Sequence, residues 1–228
     1  MTPAGGLISV LVGTVLLRLV VTGVYGRYVR IGMGPWLAVA GATVIVLGLV
    51  TLVRALRHAE PVDAHDHHRR GEGGRVGWLL LAPIAALLLV APPTLGSFGV
   101  DRGAKVDVRA GAPVFTPLVQ SGEPVRMTLL EFGQRAFDHD GASFNGAAVQ
   151  LTGFVAGAED GGFRLARYEI ACCAADAAPV VLRILGAPSP ARDRWVTVTG
   201  TFQPGGGEAP ELAASNVVET PAPRDPYE

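Results

Sequence analysis

Three apolar stretches within the first hundred residues constrain this chain more than any other feature. They cover residues 7–25, 35–53 and 76–92, and the only charged side chain among them is Arg18. Each stretch approaches the roughly 20 residues that an α-helix needs to cross the hydrocarbon core of a bilayer. Because backbone in lipid must satisfy its own hydrogen bonds, the sequence predicts about three transmembrane helices and an integral membrane protein.

Two of these stretches admit a second interpretation. The first is similar to the apolar core of a secretory signal peptide, but residues 1–6 contain no basic side chain and no small-x-small cleavage site closes the stretch. The third contains Pro83 and ends at Pro92, so it forms either a kinked spanning helix, which we favour, or an interfacial hairpin. For Arg18 we expect snorkelling or a helix contact rather than an ion site.

The placement of arginine predicts the topology. Five arginines fall between the second and third stretches, against two between the first and second. The five are Arg54, Arg57, Arg69, Arg70 and Arg75, and the two are Arg27 and Arg30. Arginine-rich loops stay in the cytoplasm. With three spans, the soluble domain is therefore extracytoplasmic, and a miscount of one span would reverse that side.

The charge distribution separates two parts of the chain. Residues 1–98 carry eight arginines against four acidic residues, whereas residues 99–228 carry eleven basic against sixteen acidic residues. Nucleic-acid binding needs a concentrated basic face, which an acidic soluble part does not offer. A mean hydropathy of +0.36 with 17% charged residues is also unusual for a wholly soluble chain. We therefore expect membrane lipid, and no nucleic acid, as a partner.

Residues 54–75 form a His-rich loop. Four of the five histidines of the chain lie there, interleaved with aspartates. The segment contains His58, Asp63, His65, Asp66, His67 and His68. Imidazole and carboxylate groups suit zinc and related divalent ions, although the spacing is not that of a structural zinc site. A metal site with His65, His67 and His68 as ligands and a solvated polar loop both remain open.

Composition divides the chain into four regions. Residues 1–98 form the transmembrane region, and residues 99–125 form a linker rich in Gly and Pro. Residues 126–220 form a soluble domain, and residues 221–228 are a tail.

Alternating apolar residues predict about five short strands in the soluble domain. After a strand and short helix over 127–138, these strands cover residues around 149–155, 163–171, 180–184, 195–202 and 216–219. Turns containing Gly and Pro separate them. Because closure removes sheet edges, we expect a small OB-like barrel, with a small sandwich as the alternative. The predicted fold class is an α+β membrane protein with transmembrane helices and an all-β C-terminal domain.

The only two cysteines, Cys172 and Cys173, are adjacent. Successive strand residues point to opposite faces, and a disulfide between neighbours needs a distorted peptide. In one interpretation, a turn after the strand brings Cys172, Cys173 and Asp176 onto one ion, with the Asp-His-Asp run at 138–140 as further ligands. In a second, the pair is a redox site. In a third, one thiol is a small buried apolar group and the other is incidental.

Four runs in the soluble domain are distinctive. They are Gly153-Phe154-Val155, Phe163 to Ile170, Cys172-Cys173-Ala174-Ala175-Asp176-Ala177 with Pro179, and Trp195-Val196 with Val198 and Gly200. Together they resemble the YcgQ-type permease subunit family of bacteria. The double-Cys stretch is the most specific of them, and the resemblance covers nearly the whole chain. It implies N-terminal membrane helices, a C-terminal domain and, as partner, a second membrane protein of the arsenic-permease-like predicted permease type.

These observations lead to three function hypotheses, of which the first is favoured. In it, the chain is a non-enzymatic accessory subunit of a two-component permease, multi-pass in the cell membrane, whose domain binds or hands over a metal or metalloid ion. Zinc or another soft metal ion suits thiolate ligands. The second is a membrane-anchored thiol redox protein, although a C-x-x-C spacing is missing. The third is a ligand-free structural or sensory ectodomain.

Overall fold

The protein divides into two compact units. The computed structural model describes residues 3–57, 95–102, 105–108, 114–205, 207 and 209–228. One unit holds Met1–Gly26 and Ile31–Pro93, and the other holds Arg27–Arg30 and Thr94–Glu228. Four residues of the connection between the first two helices thus belong to the same unit as the C-terminal domain.

Two long apolar helices make up the described part of the first unit. They are α1 (Pro3–Thr22) and α2 (Gly34–Arg57), and each is long and apolar enough to cross a bilayer. α1 ends before Gly23, whose φ of +72° suits a helix C-terminus, and α2 has Pro35 in its first turn. The predicted stretches 7–25 and 35–53 are therefore confirmed as helices with shifted ends. The predicted third span, 76–92, lies outside the described residues.

Small residues allow α1 and α2 to approach closely. A Cβ atom added to Gly13 would lie 2.7 Å from the carbonyl oxygen of Gly41, and one added to Gly48 would lie 2.9 Å from that of Gly6. Large apolar side chains such as Leu47, which is 62% exposed, lie away from this contact. Close backbone approach at small residues is typical of helix pairs in membranes.

The second unit contains a closed five-stranded barrel. Its elements are β1 (Val125–Arg126), α3 (Leu129–Phe137), β2 (Val149–Glu159), β3 (Gly162–Glu169), β4 (Ala178–Leu185), β5 (Trp195–Gln203) and β6 (Glu211–Glu219). The strand order is β1-β2-β3-β4-β6-β5, and β5 also pairs with β2, which closes the barrel. Neighbouring strands run antiparallel except for the parallel pairs β1–β2 and β4–β6. The prediction of a barrel is confirmed, and the sandwich alternative is wrong.

The alternating apolar residues of the strands form the barrel core. Leu151 on β2, Leu182 on β4 and Val198 on β5 are fully buried in one cluster, which Leu129 and Phe132 of α3 complete. The sequence predicted a strand that begins at Met127 and precedes this helix, but the observed strand β1 ends at Arg126. The Thr128 side chain instead accepts a hydrogen bond from the Glu131 backbone N–H and caps α3.

Individual described residues of the predicted linker and of the predicted tail pack on the barrel. Val100, from the predicted linker 99–125, lies in a second buried cluster with Tyr168 and with Tyr227 of the predicted tail 221–228. The backbone N–H of Glu228 donates to the Tyr168 carbonyl at 2.9 Å. Gly- and Pro-rich composition conceals these few apolar anchors, because a single buried side chain has no periodicity.

Candidate functional site

The candidate site lies on the turn between β3 and β4. β3 ends at Glu169, and a short 3₁₀ turn at Ala174–Asp176 precedes β4. Cys172 is exposed and Cys173 is half-buried, and both are free thiols. Because the strand has already ended, the opposed side-chain directions of successive strand residues do not apply to this pair.

The Asp176 carboxylate organises the backbone of this turn. Its Oδ1 accepts a hydrogen bond from the Ala171 N–H at 2.9 Å, and its Oδ2 accepts from Cys172 N–H at 2.9 Å and Cys173 N–H at 3.4 Å. The Cys173 Sγ accepts in return from the Asp176 backbone N–H, which completes a capping box. The Cys172 thiol and these backbone donors lower the pKa of Asp176 to about 2.

The turn brings two sulfurs and a carboxylate together. The Cys172 and Cys173 Sγ atoms are 3.6 Å apart, and one ligand atom from each of Cys172, Cys173 and Asp176 lies within 4.8 Å of the other two. Two sulfurs bound tetrahedrally to zinc at about 2.3 Å would lie roughly 3.8 Å apart. The three side chains of the first interpretation of the cysteine pair therefore lie close together, and their role as ligands stays a prediction.

The Cys172 thiol is held in its protonated form. Hydrogen bonds with the Asp176 carboxylate and then with Cys173 raise the pKa of Cys172 to about 12. A thiolate is the nucleophilic and metal-binding form of cysteine. An ion that binds here must therefore displace the thiol proton rather than meet a preformed thiolate.

A second segment of the same unit fixes the other edge of the turn. The Arg30 N–H donates to the Cys172 carbonyl at 3.2 Å, and the Ala174 N–H donates to the Tyr28 carbonyl at 2.7 Å. Val29 and Cys173 thus form an isolated antiparallel β-bridge. Sequence reasoning missed this contact, since backbone pairing over so few residues leaves no side-chain pattern.

The other predicted ligands do not join this cluster. In the Asp-His-Asp run, His139 Nδ1 lies 2.7 Å from the carboxylate of its neighbour Asp138. Among the described residues, Cys172, Cys173 and Asp176 form the only group of three or more potential metal ligands that lie close together. His65, His67 and His68 lie outside the described residues, so the metal interpretation of that loop stays a prediction.

A buried ion pair that sequence reasoning missed ties the C-terminal residues to the barrel. The Glu228 carboxylate accepts hydrogen bonds from the Leu129 N–H at 3.0 Å and the Leu130 N–H at 3.2 Å, at the start of α3. Arg167 lies 3.4 Å from the same carboxylate, whose side chain is 3% exposed. No apolar run lies near Glu228 in the sequence, so nothing there predicts that its side chain is buried.

Comparison with known proteins finds a family match over the region that carries the candidate site. Residues 134–228 match the family model of the DUF1980 C-terminal domain. The matched range includes β2 to β6 and the complete cysteine turn. It is consistent with the resemblance of this region to YcgQ-type subunits. No curated protein matches the chain.

Proposed function

We propose, from the premise that residues 134–228 form a DUF1980 C-terminal domain, that the chain is an accessory subunit of a two-component membrane permease. Its barrel binds or hands over a metal or metalloid ion, and the chain itself has no enzymatic role. The observation that carries this proposal is the convergence of Cys172, Cys173 and Asp176 on one exposed turn. By resemblance, the partner is an arsenic-permease-like membrane protein.

The two helices support a membrane role without supporting a transport path of their own. Their apolar lengths are 19 and 27 residues, and large side chains such as Leu47 and Leu56 are exposed. In water such exposure would be costly, whereas lipid is a suitable solvent for it. Two or three helices are too few to enclose a pathway, so a separate permease is expected to provide it.

Backbone pairing supports the extracytoplasmic side for the barrel. The Tyr28–Arg30 segment, which connects α1 and α2, hydrogen-bonds with the cysteine turn. A connection and a domain that bond in this way lie on the same side of a bilayer. If α2 spans, Arg54 and Arg57 at its other end lie on the opposite side, which the positive-inside rule assigns to the cytoplasm.

The barrel topology supports an OB-like architecture. The closed order β2-β3-β4-β6-β5, with one parallel contact between β4 and β6, is the strand order of OB barrels. Barrels of this type bind ligands on their loops and on exposed strand surfaces. A binding site on the β3–β4 turn fits a domain that passes a ligand to a partner, because an exposed turn is reachable from outside.

Ion binding is tested on the full chain in detergent, reduced and without a histidine tag. Wild-type protein is dialysed against zinc or arsenite, and bound metal is quantified beside the Cys172→Ser/Cys173→Ser double variant. We expect the double variant to lose about one ion per chain relative to the wild type, and any zinc that it still binds is assigned to the His-rich loop. Asp160→Asn, which removes an exposed turn carboxylate elsewhere, should bind normally. Absence of any ion in folded wild-type protein would refute the binding role.

The partner is tested by co-expression with an arsenic-permease-like protein carrying the only affinity tag. The chain is expected to copurify at a constant ratio through size-exclusion chromatography. An unrelated multi-span protein with the same tag serves as control. If a folded chain separates from the permease in mild detergent and in lipid nanodiscs, the accessory-subunit assignment is wrong.

The redox alternative receives less support from the geometry. A disulfide between neighbours would have to distort a turn that Asp176 fixes through three backbone bonds. A ligand-free ectodomain would need no exposed pair of thiols.

A further inference from the structure

We propose that the Cys172–Cys173 pair takes a trivalent metalloid hydroxide as a two-thiol ligand, in preference to a divalent cation. This inference rests on the proposed ion-binding function and names the class of ion. It depends on three features of the turn: the number of free donors, the distance between the sulfurs and the fixed backbone.

The donor count favours an ion that needs only two protein ligands. A carboxylate has about four acceptor positions. Asp176 uses three of them for backbone N–H groups. An ion that takes an Asp176 oxygen as a ligand must therefore compete with the bonds that shape the turn. Divalent zinc sites in proteins use three or four protein ligands, and two sulfurs alone do not meet this need.

The distance between the sulfurs excludes a linear arrangement. Two metal–sulfur bonds of about 2.3 Å in line would hold the sulfurs roughly 4.6 Å apart. The observed separation is 3.6 Å. With two bonds of about 2.3 Å, this spacing corresponds to a bond angle of roughly 100° at the ion. A trivalent centre with a lone pair makes three bonds at about this angle, two to sulfur and one to a hydroxide.

The fixed backbone makes the spacing a property of the turn. Asp176 holds the N–H groups of both cysteines, and Arg30 holds the carbonyl of Cys172. Cys172 is nevertheless exposed, so an incoming hydroxide can reach the thiol. A chelating pair that is ordered before binding loses little conformational entropy when the ion arrives.

The reaction is a condensation and needs no oxidant or reductant. Arsenous acid, As(OH)₃, reacts with two thiols to give (RS)₂AsOH and two water molecules. Two S–H bonds and two As–OH bonds break, while two As–S bonds and two water O–H bonds form. The thiol protons leave in water, so no net proton is released. Zinc would instead displace two protons into solution.

The test compares arsenite with zinc on the full chain in detergent, reduced with a phosphine. We expect one arsenic per chain by native mass spectrometry, with two sulfurs and one oxygen around it by X-ray absorption. Either Cys172→Ser or Cys173→Ser should weaken arsenite binding about 100-fold, because the second bond of a chelate is intramolecular. Asp160→Asn is the control, and circular dichroism checks that each variant is folded.

Two results would overturn the inference, and they differ in what else they remove. Zinc bound more tightly than arsenite, with release of two protons, would overturn the metalloid assignment and leave the ion-binding function standing. Failure of both ions to bind folded wild-type protein would remove the proposed binding function as well. An arsenic centre with an Asp176 oxygen among its ligands would contradict the two-thiol description.

Discussion

The helices and the barrel are both rich in apolar residues, but the helices bury glycines at their contact, whereas the barrel buries large apolar side chains. α1 and α2 meet at glycines and leave residues such as Leu47 exposed. The barrel encloses its large residues, with Leu182 fully buried. The difference indicates that the two parts suit different surroundings. In the barrel, large apolar side chains are buried away from water. In the helices such side chains point outward, which is favourable only in lipid.

The largest effect on stability is expected from a pair of variants that replaces one leucine in each part. Leu182→Ala should lower the free energy of unfolding of the barrel by about 2–5 kcal/mol, because it leaves a cavity in a closed core. Leu47→Ala, at a position 62% exposed, should change stability by no more than about 0.5 kcal/mol. Urea titration with hydrogen-exchange mass spectrometry in detergent reports the two parts separately. Equal losses for both variants would show that the helices also bury their large side chains.

A second test addresses the glycine contact between the helices. In Gly13→Leu, the new Cβ would lie 2.6 Å from Ile45 Cγ1 and 2.7 Å from the Gly41 carbonyl, so the helices must separate. Their axes should move towards the about 8–10 Å usual for larger interface residues. Double electron–electron resonance measures this change. The two spin labels are attached at positions Leu11 and Val46, in a variant with both native cysteines replaced by serine.

Ala40→Leu is the matched control, since Ala40 lies on the exposed side of α2. The label-to-label distance should stay at its starting value in this variant. An unchanged distance in Gly13→Leu would mean that the helices tolerate bulk at their contact, and the proposed small-residue packing would have to be abandoned.

A third test concerns the buried carboxylate that joins Glu228 to α3. Glu228→Ala removes the acceptors for Leu129 and Leu130 and the ion pair with Arg167, so stability should fall by about 1–2 kcal/mol. Urea denaturation of the full chain measures the loss. A change smaller than that of Leu47→Ala would show that the bonds at the start of α3 contribute nothing.

The pH dependence of stability provides a control on the same residue. Burial raises the pKa of Glu228 above its ordinary value of 4.5. A carboxyl with a raised folded-state pKa stabilises the fold below the unfolded pKa, and this contribution is lost as pH rises through the folded value. Wild-type stability should therefore show a fall above pH 4.5 that is missing in Glu228→Gln. Identical pH profiles would refute the burial effect.

The alternation of apolar and polar residues predicted most of the barrel strands. Where that prediction failed, the failure has a physical cause. The predicted last strand, 216–219, lacked residues 211–215 because the alanines there give a weak strand signal. The helix α3 was partly hidden by the apolar run at Met127–Leu130, although Thr128 and Glu131 form a capping-box pattern that predicts a helix start. Single anchors such as Val100 and Tyr227 have no period to detect.

The candidate site was predictable only where its residues are close in sequence. Cys172, Cys173 and Asp176 lie within one turn, so local geometry was enough to group them. The pairing of Arg30 with this turn spans more than a hundred residues and uses backbone atoms, which any sequence can supply. The three backbone hydrogen bonds of the Asp176 carboxylate likewise depend on coordinates that residue types do not specify.

The smallest expected effect on stability, and the most informative about chemistry, is that of Asp176→Asn. The Asp176 carboxylate is the largest cause of the raised pKa of Cys172, so the variant should lower that pKa. Far below its pKa, a thiol gains about tenfold in thiolate for each unit by which the pKa falls. Iodoacetamide should therefore alkylate Cys172 at least severalfold faster at pH 8, as followed by tandem mass spectrometry. Asp160→Asn should leave the rate unchanged, and an unchanged rate in Asp176→Asn would mean that another group sets the reactivity of the thiol. Since the barrel core contains neither residue, this outcome would separate the chemistry of the turn from the stability of the fold that holds it.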